Sequence, residues 1–223
     1  MWEIVNALLY QGRTDCQWDL LTYDLPPRGA VKCYFTKRCD DGTDQTIHDL
    51  RRWQVRKRAR RTADPSLVVL DTQSVHAAAG VPAESTGRDA AKKLPAASAA
   101  WPLTCWAWSS RWWCSLHPCT TTPPASRCWT RSPPTPTTVE KVLVDQDFKN
   151  AVVAHGQTVG IELEIVERNP VQTGLVPIPK WRIVERAHGF LMLHGRLVRD
   201  YEHQPRSSES RVYWALTAVN CAG

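Results

Sequence analysis

Residues 94–138 contain no aspartate and no glutamate, yet they hold six of the chain's eleven tryptophans and four of its eight cysteines. No other property of the sequence restricts folding so strongly. A buried indole wants a partner for its N–H, and a core rarely uses tryptophan at such density. Proline, threonine and serine fill the remaining positions, and neither a two-residue nor a helical period persists. An irregular segment is expected over 94–138.

The genetic code accounts for this composition. Tryptophan is TGG and cysteine is TGC or TGT. Read one base earlier, each TG closes a codon of form NTG, which encodes Leu, Met or Val. The ten tryptophans and cysteines between 101 and 129 then become aliphatic. Serine codons of form TCN also become apolar, and threonine codons of form ACN become Asp, Asn, His or Tyr. One shift restores both missing classes. With GC-rich codons assumed, 95–109 reads as a strand, a turn and the start of another strand. Residues 119–131 then read as a helix with Ala, Leu and Asp. The competing reading is a genuine Trp/Cys-rich binding loop.

The rest of the chain is ordinary. Lys plus Arg is 28 against 22 Asp plus Glu over 223 residues, a net charge of +6 and a pI near 9.0. Such an excess fits a polyanionic partner. Glu3, Arg13, Asp15, Asp19, Asp24 and Arg28 leave no uncharged signal core in residues 1–30. No run approaches the roughly 20 apolar residues of a membrane helix. A cytoplasmic, nucleoid-associated protein without a membrane partner is expected. No Cys-x-x-Cys pair supports zinc. A secreted disulfide protein using the Trp/Cys segment is a third reading, and the charged residues that interrupt 1–30 argue against it.

Residues 1–63 read as helical. Trp2 to Leu9, Ala30 to Lys37 and Asp44 to Arg61 are the predicted helices, with turns at 25–29 and 41–43. Ile47, Leu50 and Val55 are the expected core positions of the third. Its end holds Arg51, Arg52, Arg56, Lys57, Arg58, Arg60 and Arg61. These cations suit either a solvated helix C-terminus or phosphate contact. Residues 66–71 form a short apolar run closed by Asp71, a predicted buried strand, and 77–93 read as a loop. Residues 139–145 form a second predicted strand, closed by Asp145. A helix over 148–159 and a half-exposed strand over 161–166 follow. One helix is predicted over 180–201, with Ile183, Ala187, Phe190, Leu191, Leu197 and Val198 on its apolar face. A last one is predicted over 209–219.

Asp71, Asp145 and Glu185 stand in the order strand end, strand end, helix. Each alone has a plainer reading: a cap or loop residue for the aspartates, an i,i+4 partner for the glutamate. Closely placed carboxylates repel unless a cation binds between them, so a fold that brought the three together would call for divalent metal.

Specific blocks carry a family resemblance. They are Gly12-Arg13-Thr14-Asp15-Cys16-Gln17-Trp18 with Leu25-Pro26-Pro27, then Leu67-Val68-Val69-Leu70-Asp71-Thr72-Gln73-Ser74-Val75. Val142-Leu143-Val144-Asp145-Gln146-Asp147-Phe148 and Trp181-Arg182-Ile183-Val184-Glu185-Arg186 follow, the last continuing through Arg196-Leu197-Val198-Arg199-Asp200-Tyr201-Glu202. The chain resembles bacterial insertion-sequence DDE transposases with a short helical N-terminal region. Asp147 stands where the family usually has glycine, and Ala187-His188 and His194-Gly195 depart from its aromatic and basic residues. The likeness spans 1–93 and 139–219.

The resemblance implies an α/β fold: an RNase H-like mixed sheet with flanking helices over 64–219, preceded by a helical DNA-binding region over 1–63. In such a sheet the first and fourth strands are neighbours, which would bring the two aspartates close. It implies Mg²⁺ (or Mn²⁺) held by Asp71, Asp145 and Glu185 as catalytic residues. It implies hydrolysis of a phosphodiester at the element's end, then attack of the freed 3′-hydroxyl on target DNA. Lys57, Arg58, Arg60, Arg61, Arg182 and Arg186 are the candidate DNA contacts. The expected partners are element-end and target DNA; oligomeric state, a homo-oligomer included, stays open. Because the shifted segment lies between the two aspartate strands, the first strand is expected to lose a ladder partner and this copy to lose activity. A DNA-binding remnant without catalysis is the alternative.

Overall fold

The computed structural model describes residues 1–82, 87–89, 94–103, 117–118, 138–145, 160–166 and 182–222; for 70–74, 87–89, 94–103, 117–118, 145, 182–183 and 222 it describes the backbone alone. Three helices open the chain: α1 (Trp2–Thr14), α2 (Arg28–Asp41) and α3 (Thr43–Arg58). All three predicted helices are present, and α1 and α2 run longer than their apolar runs indicated. Gly42 divides α2 from α3 at φ 71°, its N–H donating to the Arg38 carbonyl at 3.1 Å. Only a residue without Cβ takes that conformation freely, so the expected turn stands.

Ile4, Ala7 and Leu8 of α1 pack with Val31 and Phe35 of α2 and with Trp214 of the last helix. Ile47 packs against this cluster as expected. Leu50 does not: it is 56% exposed. The buried stripe of α3 is instead Asp44, His48, Arg52 and Arg56, at the four-residue spacing of one helix face. Charge can be buried there because it is paired. Arg52 donates to the Ala63 carbonyl at 3.3 Å and to Asp64 at 3.1 Å, and Arg56 to the Thr62 carbonyl at 2.8 Å.

A mixed sheet follows, built from β1 (Leu67–Ala77), β2 (Gly87–Asp89), β3 (Leu94–Leu103), β4 (His117–Pro118), β5 (Lys141–Asp145), β6 (Glu162–Val166) and β7 (Arg199–Asp200). The strand order is β2-β3-β1-β5-β6, with β4 on β3 and β7 on β1. β1 is antiparallel to β3 and parallel to β5, and β5 is parallel to β6. The fold class is mixed α/β. Asp71 does not end its strand: β1 continues to Ala77, because the ladder with β3 runs on to His76–Ala96.

Two expectations about 94–138 are corrected. β3 and β4 both lie in the span read as irregular, and β3 gives β1 the ladder partner it was expected to lack. Backbone hydrogen bonding explains the difference. A ladder needs N–H and C=O groups rather than particular side chains, so the alanine- and serine-rich stretch 96–100 can pair. The predicted helix over 148–159 lies outside the described residues, as do 104–116 and 119–137.

The single helix expected over 180–201 is broken. α4 (Arg182–Met192) ends in a turn, α5 (Gly195–Val198) follows, and β7 then pairs with His76 and Ala77. Gly195 explains the break: a Cβ there would lie 2.9 Å from the Asp15 Cβ, so the chain passes against the end of α1 where only glycine fits. The last helix, α6 (Pro205–Ala222), serves two cores. Trp214 joins the N-terminal cluster, while Val212, Tyr213, Ala215 and Leu216 pack with Val69, Leu143, Val184, Ala187 and Leu191. Val198, expected on an apolar face, is 52% exposed. Among the described residues no helix is long and apolar enough to cross a membrane.

Candidate functional site

β1 and β5 run side by side in register, and four pairs define it: Leu67–Lys141, Val68–Val142, Val69–Leu143 and Leu70–Val144. Asp71 and Asp145 are the next residues on the two strands. Each stands two residues beyond a member of the Val69–Leu143 pair, and both of those side chains are buried in the second core. The side chains of Asp71 and Asp145 themselves lie outside the described residues.

Glu185 sits in the first turn of α4 and is exposed. Its neighbour Val184 is buried, and Val184, Ala187 and Leu191 form the face of α4 that meets Val69 and Leu143. The same core therefore joins the helix bearing Glu185 to the strands bearing Asp71 and Asp145. Among the described residues no group of three His, Cys, Asp or Glu stands ready to hold a metal ion; the two aspartate side chains are not among them.

The basic candidates divide by exposure. Lys57, Arg58, Arg60 and Arg61 are exposed at the end of α3, whereas Arg52 and Arg56 are buried. Arg186 is exposed, with its guanidinium 5.7 Å from the centre of the Phe190 ring. The side chain of Arg182 lies outside the described residues. Trp53 is 40% exposed, and the Lys57 ammonium lies 4.2 Å from its ring centre.

Sequence reasoning missed a charged seam between α1 and the C-terminal elements. Arg196 donates to Asp15 at 3.1 Å and to Glu202 at 3.2 Å. Arg211 donates to Glu202 at 2.9 Å and also to the Gln11 side chain, and it lies 4.1 Å from the Phe35 ring centre. Burial opposes the Glu202 charge, but the guanidiniums of Arg211 and Arg196 outweigh it and hold that carboxyl below its usual range. Asp200 is pushed the other way by burial, against the bond it accepts from Ser208 at 2.8 Å. Burial also lowers His188 and His194. The available signal was Arg211 itself, a lone cation beside the apolar run 212–216.

No family model, no curated protein and no solved structure matches this chain.

Proposed function

We propose that the chain is a frame-damaged copy of an insertion-sequence DDE transposase, in which Asp71, Asp145 and Glu185 are the metal-binding carboxylates. The observation that carries this reading is the Leu70–Val144 pair, which brings the two aspartate positions to adjacent places on parallel strands. The strand order supports it as well. An RNase H-like sheet sets its first and fourth strands side by side. Here β1 lies beside β5, the strand that follows the damaged span.

The donor set suits a hard cation. Mg²⁺ takes oxygen ligands, using one or two carboxylates with substrate phosphate and water. When bound, a pair of such ions activates the attacking oxygen and stabilises the leaving one in phosphoryl transfer. The chain's own contribution is to hold three carboxylates on elements that share one core.

Strand transfer is lost in this copy. β3 keeps its backbone pairing, but Pro95 and Pro102 bring no N–H to the ladder. Folding margins are only about 5–15 kcal/mol, so a poorly supported strand beside β1 weakens the site it flanks. Titrating the full chain with Mn²⁺, followed by calorimetry, tests the carboxylate assignment. Asp71→Asn, Asp145→Asn and Glu185→Gln should each weaken binding; equal binding by the unmodified chain and all three variants would refute it.

The exposed cations of α3 favour a second, compatible reading: a DNA-binding remnant without catalysis. Between Leu50 and Ala63 there is no carboxylate, while Lys57, Arg58, Arg60 and Arg61 are exposed. The test belongs on the full chain, because Trp214 of α6 completes the core of α1 and α2.

A further inference from the structure

α3 is turned inside out relative to an ordinary amphipathic helix. Asp44, His48, Arg52 and Arg56 face inward, while Leu50 is 56% and Trp53 40% exposed. Leu50 and Trp53 are three residues apart and so neighbour each other on the helix surface. One turn further on come Lys57 and Arg58, then Arg60 and Arg61, all exposed. Apolar surface followed by exposed cations, with no carboxylate from 50 to 63, selects a partner that offers both negative charge and flat apolar faces. A nucleic-acid strand offers both.

The state of that strand follows from the geometry of stacking. In a duplex the base faces are covered by their neighbours, so an exposed indole has none to meet. An unpaired base presents its face, and base–aromatic stacking tolerates any sequence. Lys57, 4.2 Å from the Trp53 ring centre, shows that this ring is open to a cation; a base taking that place would release the ammonium to a neighbouring phosphate.

We infer that Trp53 is a base-stacking platform, and that the outer face of α3 takes single-stranded DNA in preference to duplex. The inference rests on the DNA-binding reading of the same helix and adds a base contact to its phosphate contacts.

Fluorescence anisotropy of a labelled single-stranded oligonucleotide, and of the duplex of the same sequence, tests this on the full chain. Trp53→Leu keeps an apolar side chain and removes the ring; Trp53→Phe keeps a ring. Because stacking on an aromatic side chain contributes about 1–3 kcal/mol per base, Trp53→Leu should weaken single-strand binding about 5- to 150-fold and leave duplex binding nearly unchanged. Trp53→Phe should retain most of the single-strand affinity. Equal losses on both DNAs, or no loss on either, would overturn the stacking role while leaving the phosphate reading in place. Salt-insensitive binding, or no binding, by the unmodified chain would overturn both.

Discussion

Leu70 and Val144 are Cα partners in the parallel ladder between β1 and β5, and the residue after each is an aspartate. Two carboxylate positions far apart in sequence become neighbours through four backbone pairs. That relationship rests on the pairing of β1 with β5, and β3 flanks β1 on its other side.

Glu202 joins Arg196 and Arg211, and only the latter is almost wholly buried, at 3% side-chain exposure. Among the described residues, Glu202→Ala leaves the Arg211 charge in the interior with Gln11 as its remaining side-chain acceptor. Breaking such a pair typically costs about 3–5 kcal/mol. Urea unfolding of the two proteins should show a loss of that order. A change too small to measure would mean that solvent reaches the seam.

Gly195 packs where a Cβ would lie 2.9 Å from the Asp15 Cβ and 3.4 Å from the Arg13 carbonyl oxygen. Gly195→Ala should therefore destabilise the chain by about 1–3 kcal/mol, the usual cost of overpacking. Thermal melting monitored by circular dichroism reads it out. An unchanged or higher melting temperature would show that α5 and α1 do not meet closely.

The pH dependence has a defined sign. Glu202, His188 and His194 are all lowered in the folded chain. Each stabilises above its unfolded pKa, and that stability is lost as pH falls through its folded value. Asp200 is raised, so its contribution is present below its unfolded pKa and is lost as pH rises through its folded value. Asp200→Asn keeps an oxygen for the Ser208 hydroxyl and removes the charge. Its stability relative to the unmodified chain should therefore improve from acidic to neutral pH. Denaturant midpoints across that range check the trend, and the opposite slope would place Asp200 in a charge-stabilising environment.

Lys57, Arg58, Arg60 and Arg61 are exposed together. Replacing each with alanine should reduce the slope of log affinity against log salt, by up to about 0.9 for every lost contact with duplex DNA. Binding measured over a salt series tests this, and an unchanged slope would place the phosphate contacts elsewhere.

Much of the fold was legible because local signals and tertiary structure agree. The Asp41–Thr43 turn, the strand beginning near Leu67 and the short strand ending at Val166 follow from glycine, from a β-branched apolar run and from apolar–polar alternation. Where packing overrides pattern, the sequence misled. Leu50 reads as a core residue by spacing, but α3 buries its arginines because Asp64 and nearby carbonyls pair with them. The break after Met192 depends on how closely Gly195 approaches α1, a contact between residues remote in sequence. β3 was illegible for a different reason: backbone pairing with β1 imposes a strand on letters with little preference for one. Of the site, the order of the three carboxylates was readable, and the sequence had no means of giving the register that makes two of them neighbours.

The most direct test is a nicking assay with the reading frame restored. The gene is shifted by one base between about codons 93 and 138, and the repaired and present chains are incubated with Mg²⁺ and DNA carrying the ends of the element. The account predicts nicking by the repaired chain, abolished by Asp71→Asn, and none by the present chain. Stop codons in the shifted frame, a repaired chain without Asp71-dependent nicking, or robust nicking by the present chain would contradict it.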